Sequence, residues 1–141
     1  MAAVLDARSR KLFEDANLAQ LATLMRDGSP HIVPVWVGVE GDRLLFYREE
    51  GSLGLRNVRR DTRVAVSIAD KDNHYRYCTV RGRVVEERGG ASAVDWLNQL
   101  AISYTGRRYP EPGPAPGVVI VIELDRVRYV ELEGFVRGAG Q

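Results

Sequence analysis

The residues best suited to chemistry lie in one stretch, FYREEGSLGLRNVRRDTR at 46–63. It reads as the end of a strand running into the first turn of a helix. At such a start the backbone N–H groups lack intrahelical acceptors, and the aligned peptide dipoles favour an anion. Ser52 supplies a hydroxyl, Gly51 and Gly54 allow close approach to the backbone, and Arg48 and Arg56 bring positive charge. These are the parts of a phosphate cradle. They are also the parts of an ordinary capped helix with a solvated charged face, and spacing alone leaves both readings open.

Elsewhere the chemistry is sparse. The chain contains no P-loop, no GxGxxG after a strand, no GxSxG and no HExxH. Its two histidines, His31 and His74, are far apart and read as surface or strand-end imidazoles rather than a metal site or proton relay. Cys78 is the only cysteine, which excludes an intrachain disulfide and a cysteine-based zinc site. It sits in an apolar strand with no histidine or basic cluster to activate it, so it reads as a buried inert thiol. No catalytic residue and no metal ligand is assigned.

The elements that must position this stretch follow from periodicity. A short helix is expected from Asp6 to Asp15, with Asp6 as N-cap and Leu5, Leu12 and Phe13 inward. A strand follows in LAQLATLM, and Asp27-Gly28 turns the chain. From His31 to Val39, Val33, Val35, Val37 and Val39 share one face, and Ile32, Pro34 and Trp36 the other. Such a strand is buried on both sides, or carries core on one side and a binding surface on the other. Residues 43–48 form the next strand, with Leu44 and Phe46 opposite Leu45 and Tyr47. A helix starting after Ser52 runs from Leu53 to about Arg60. Strands are expected at 63–68 and 75–86.

Ser92 with Asp95 resembles a capping box before a helix carrying Val94, Leu97, Leu100, Ala101 and Tyr104. GRRYPEPGPAPG at 106–117 is a restricted loop, with Tyr109 as a surface residue or a substrate lid. Residues 118–124 and 126–131 read as two strands joined by a tight bend. Seven strands and three short helices, joined by short turns, disfavour a parallel sheet. The expected class is mainly β (α+β): an antiparallel barrel with short covering helices.

At 141 residues the chain fits one domain spanning 1–141. Hydrophobic residues make up 45% and charged residues 28%, a composition that supports a packed core. Twenty basic against 19 acidic residues leave a net charge of +1, which argues against a nucleic-acid binder. No signal peptide or spanning segment is visible, so the expected location is cytoplasmic, without a membrane partner.

HIVPVWVGVEGDRLLFYREEGSLGLRNVRRDTRVAVSI resembles the split-barrel flavin-binding fold of pyridoxamine 5′-phosphate oxidase-like proteins. Within that group it is most similar to the small actinobacterial reductases that use coenzyme F420, a deazaflavin. The early LAQLAT, the PVW strand, the strand ending in FY, RNVRRDTRV and YCTVRGRVVE carry the resemblance from about Leu18 to Glu87, and YTG at 104–106 extends it. The resemblance implies a split β-barrel homodimer with cofactor sites at the subunit interface. It places the cofactor ring against Val33, Pro34, Val35 and Trp36. It places the phosphate tail against Tyr47, Arg48, Ser52, Leu53, Gly54, Arg56 and Asn57.

The family commonly has a phosphate-binding Lys where this chain has Gly54. Losing that charge removes a contact of roughly 1.5–3 kcal/mol. Arg48 and Arg56 are the candidates to compensate; without compensation the affinity falls or the tail takes another path. Trp36 reads as barrel core, against a wall that stacks on cofactor or substrate. Tyr75 and Tyr77, on one face with Arg81, read either as lining for a partner's pocket or as dimer packing.

The implied function is hydride transfer between coenzyme F420 and a small organic substrate. The alternatives are an FMN-dependent oxidase or reductase of the same fold, and a non-catalytic flavin- or haem-binding module. In either oxidoreductase reading the cofactor carries the hydride and the protein binds, orients and excludes water.

Overall fold

Alternating apolar residues shape the molecule into a curled sheet around one core. The computed structural model describes residues 2–132 together with 134 and 135. The elements, in chain order, are α1 (Ala7–Glu14), β1 (Ala19–Leu24), β2 (Pro30–Val35), β3 (Gly38–Glu40), β4 (Arg43–Glu49), α2 (Leu53–Arg60), β5 (Arg63–Ala69), β6 (Arg76–Arg88), α3 (Ala91–Thr105) and β7 (Gly117–Glu131). The sheet order is β2-β1-β5-β6-β7-β4-β3, and every pairing is antiparallel. The two edge strands, β2 and β3, are consecutive in the chain. The sheet therefore closes on itself through Trp36 and Val37, giving the expected antiparallel split barrel with covering helices.

The concave side holds Leu21, Phe46, Val66, Val80 and Ile122, sealed at one end by Leu12 and Phe13 of α1 and along one side by Leu55 and Val58 of α2. Leu55 and Val58 sit one helical turn apart and are almost fully buried. Truncating Leu55 to Ala would cost about 2–5 kcal/mol, so core packing, not helix propensity, anchors an eight-residue helix. On β4 and β7 the opposite face is apolar too. Leu45, Val119 and Val121 pack with Ala93 of α3, and Tyr47 and Trp96 close over them. Two-faced burial explains why these two strands read as nearly continuous hydrophobic runs.

Three expectations need correction. The strand read over 31–39 is two strands, because pairing with β1 stops after Val35 and pairing with β4, at the other edge of the sheet, starts at Gly38. The two strands read at 118–124 and 126–131 are one. Asp125 is an extra residue in β7, since Arg126 pairs with Arg81 and Leu124 with the adjacent Gly82. This is a bulge, and it turns the strand without ending it. Gly82 is required there, because a Cβ would lie 2.3 Å from the Glu123 carbonyl oxygen. The count of seven survives because the two errors cancel. Lastly, α3 starts at Ala91 behind Gly90, with no side-chain cap; Ser92 lies inside the helix and its hydroxyl donates to the Gly89 carbonyl.

No helix among the described residues is long and apolar enough to cross a membrane.

Candidate functional site

β4 ends in Tyr47, Arg48 and Glu49, still paired with Val119, Val118 and Gly117 of β7, and Gly51, with φ +81°, reverses the chain into α2. Ser52 caps α2, its Oγ accepting from the Leu55 N–H at 3.3 Å. Beside this turn lies a cavity of about 490 Å³, lined by Leu18, Pro34, Val35, Trp36, Tyr47, Arg48, Glu49, Ser52, Leu97, Leu100 and Tyr109. Its two ends differ in chemistry.

The β4–α2 end is cationic. Arg48 is half-buried and crosses above Gly54. A Cβ built on Gly54 would lie 3.1 Å from the Arg48 Nη2 and 3.2 Å from its Nε. That Nε is buried with no hydrogen-bond partner among the described residues. Burial lowers the Arg48 guanidinium below its ordinary pKa, with Glu49 pulling it back up; an arginine nevertheless keeps its charge. Gly54 is itself buried and has no positive φ; a Cβ there would press on the guanidinium, which would have to give by a few tenths of an ångström.

The other end is apolar and aromatic. Trp36 lies in the interruption between β2 and β3. Its ring stacks on Tyr104, with centroids 5.3 Å apart and planes 15° apart, and meets Tyr109 edge-on at 6.4 Å. The Tyr104 hydroxyl donates to the Asn17 carbonyl at 2.6 Å and accepts from the Val37 N–H at 3.1 Å. It thus takes over a backbone donor that the broken ladder leaves free. Burial raises the Tyr104 phenol above its ordinary pKa, keeping it a donor at neutral pH. The Tyr109 N–H donates to the nearly buried Asn98 side chain, and the Tyr47 hydroxyl to the Ala115 carbonyl, which ties the proline-rich loop to the wall.

Of the residues named from sequence, Pro34, Val35, Trp36, Tyr47, Arg48 and Ser52 line this cavity. Trp36 is therefore wall and not barrel core. Leu53 and Gly54 open α2 beside it. The lining does not include Val33, Arg56 or Asn57. Val33 packs against the core, and the exposed Arg56 donates to the Gly51 carbonyl. Asn57 is buried, its amide donating to the Thr23 hydroxyl at 3.0 Å. Leu18 and Glu49 join the lining without a local signal in the sequence. Among the described residues, no three His, Cys, Asp or Glu side chains gather as a metal site. Cys78 is buried, and burial raises its thiol pKa.

Residues 5–131 match the family model described as pyridoxamine 5′-phosphate oxidase. The chain belongs to this family. The solved structure of an F420 reductase is 30% identical, covers 84% of this chain and 94% of its own, and superposes with a TM-score of 0.76. An FMN-binding protein from Syntrophomonas wolfei is 15% identical over 92% of this chain and 86% of its own, with a TM-score of 0.69. A putative pyridoxamine 5′-phosphate oxidase from Lactobacillus delbrueckii is 21% identical over 89% and 93%, with a TM-score of 0.63. The last two are similar in fold. A search of curated proteins returns no match.

The residues present fit a phosphorylated flavin-type group. The unpartnered Arg48 Nε and the side-chain-free surface of Gly54 meet at a helix start, and a flat apolar wall stands across the cavity.

Proposed function

We propose that this protein is an oxidoreductase that binds coenzyme F420 in the cavity between β4, α2 and α3, and exchanges a hydride with a small organic molecule. The observation that carries this reading is the half-buried Arg48, with an orphaned Nε, beside the Ser52-capped start of α2. Such a group is unfavourable until an anion reaches it. The 30% identical F420 reductase supports a deazaflavin over FMN. FMN remains the competing ligand.

In this reading Arg48, Ser52 and the opening N–H groups of α2 at Leu53 and Gly54 hold the phosphate. Pro34, Val35 and Trp36 orient the ring, and Leu97, Leu100 and Tyr109 keep water from it. When bound, the cofactor supplies the hydride chemistry. No side chain is assigned as acid or base in this reading.

We further propose that two chains associate. Ile32 is 61% exposed on the outer face of β2, and beside it lies a shallow surface of Gln20, Ala22, Ser67 and Thr79 bordered by Arg81. A second copy covering this face would bury an otherwise wet apolar strand.

The test is a titration of purified protein with F420, followed by fluorescence, and with FMN, followed by absorbance. F420 binding at least tenfold tighter than FMN is expected. FMN binding tighter would transfer the reading to a flavin enzyme, and no binding of either would overturn it. Light scattering at micromolar concentration should report a dimer; a monomer would sink the second proposal.

A further inference from the structure

We propose that Arg48 and Gly54 form one functional unit: Arg48 is the cation of the anion site, and Gly54 is kept bare to seat its guanidinium. This rests on the phosphate-binding reading above.

The nearest basic residues on α2 do not serve this site. Arg56 is exposed and donates to the Gly51 carbonyl at 3.0 Å. Arg59 and Arg60 stand at the far end of the helix. Arg59 is held by Glu50 and Glu87, and Arg60 donates to the Leu24 carbonyl and the Asn57 side chain. The charge at the start of α2 is therefore delivered from β4. Arg48 reaches it only by lying flat across position 54, where the room is a single missing side chain. Glu49 also lines the cavity, yet makes no hydrogen bond to Arg48 among the described residues, so the guanidinium is left for an incoming anion.

Shape follows from this. A Cβ at 54 would sit closer to Nη2 and Nε than ordinary van der Waals contact. The guanidinium must then shift by a few tenths of an ångström or swing away. Any larger side chain at 54 competes with Arg48 for the same space, so adding a cation at 54 does not add to the cation already present. Two charges there would also repel, since both face one small concave site. Conversely, removing Arg48 opens the space that a Lys at 54 could use.

The experiment compares the parent with Arg48→Ala, Gly54→Ala, Gly54→Lys and the double variant Arg48→Ala/Gly54→Lys. Two readouts are taken: affinity for F420 and for FMN, and the rise in melting temperature of apo protein when phosphate replaces chloride at constant ionic strength. Losing a charged contact should weaken binding by roughly 10- to 100-fold in Arg48→Ala. Gly54→Ala adds no charge and should weaken binding by several-fold through displacement alone. Gly54→Lys should also weaken it. The double variant should bind tighter than Arg48→Ala, recovering roughly tenfold. The phosphate-induced stabilisation should follow the same order.

Tightening by Gly54→Lys on the parent background, or double-variant losses that merely add, would overturn the proposal. If all variants bind cofactor as the parent does, the unit is refuted while the cofactor reading stands. If neither cofactor binds but phosphate stabilisation tracks the four variants, the cofactor reading falls and the unit stands. A phosphate response identical in all variants, with no cofactor bound, refutes both. Apo melting curves without phosphate identify any variant that fails to fold, and Gly54→Ala, a favourable change within a helix, is the variant that keeps the steric argument testable.

Discussion

Two faces of the same turn treat arginine in opposite ways. On the outer face Arg59 makes two hydrogen bonds to Glu50, at 3.0 and 2.9 Å, and two to Glu87, at 3.0 and 2.8 Å. On the cavity face Arg48, more deeply placed, has a buried Nε and no acceptor for it. Glu50 points out and is used; Glu49, one residue earlier, lines the cavity and leaves Arg48 unbonded. A fold selected only for stability would reverse this allocation. Exposed ion pairs contribute little, whereas an unpaired buried donor costs the folded state. The outer cluster therefore looks structural, and the inner arginine marks where function overrides stability.

The sharpest way to break this contrast is Arg48→Met, which keeps an apolar stem and deletes the unpaired donor. Affinity for the phosphorylated cofactor should fall by roughly 10- to 100-fold. Melting of the apo protein should stay level or rise, because a desolvated cation has been replaced by an apolar group of similar reach. A drop of several degrees in the apo melt would mean that Arg48 is structural after all.

The aromatic end offers the opposite case, a half-buried polar group that is fully used. Tyr104→Phe keeps the stacking on Trp36 but strands the Val37 N–H and the Asn17 carbonyl. It should destabilise the protein by about 1–2 kcal/mol in urea unfolding, the cost of orphaning partly buried partners. It should also change the fluorescence of Trp36, whose position depends on the clasped strand break. Unaltered stability would mean that water replaces the hydroxyl.

These two ends also differ in how far the sequence reveals them. The caps of α1 and α2 were legible, because Asp6 and Ser52 satisfy N–H groups only three residues on. The start of α3 was not: Ser92 and Asp95 imitate a capping box, yet the chain enters the helix at Ala91 through a glycine. The break after Val35 was invisible, since Val33, Val35, Val37 and Val39 keep perfect alternation. What interrupts the ladder is accommodated by a hydroxyl 67 residues away. The continuity of β7 was equally hidden, because it is set by pairing with β6 on both sides of Asp125. For the site, residue types at 46–57 suggested an anion cradle, but not that Arg48 rather than Arg56 faces it. That depends on which way each side chain leaves the turn.

Ser52 lies on the boundary between the two faces, as both cap and lining residue. Its bond to the Leu55 N–H is long at 3.3 Å, so Ser52→Ala should cost about 0.5–1 kcal/mol, the lower part of the range for lost caps. Cofactor affinity should fall by several-fold, less than for Arg48→Met. Calorimetric melts and the same titration measure both. An unchanged affinity would confine Ser52 to capping.

The smallest effect concerns the outer face, and its sign is set by pH. The hydrogen bonds from Arg59 hold the Glu50 carboxyl below its ordinary pKa of 4.5. A carboxylate more acidic in the folded state stabilises the fold fully above its unfolded pKa. That stabilisation disappears as pH falls through the lower, folded value. Arg59→Ala should therefore melt slightly below the parent at pH 7, with the gap closing as pH falls through the lowered folded value and Glu50 becomes protonated in both states. Added salt at pH 7 should narrow the gap as well, because the pair is exposed. Arg48 has no carboxylate bonded to it, so the apo Arg48→Met variant should show no such carboxylate-linked closing. If the Arg59→Ala gap persists in acid, the guanidinium stabilises the turn by packing its stem over α2, and the two arginines differ in depth alone rather than in the use of their charge.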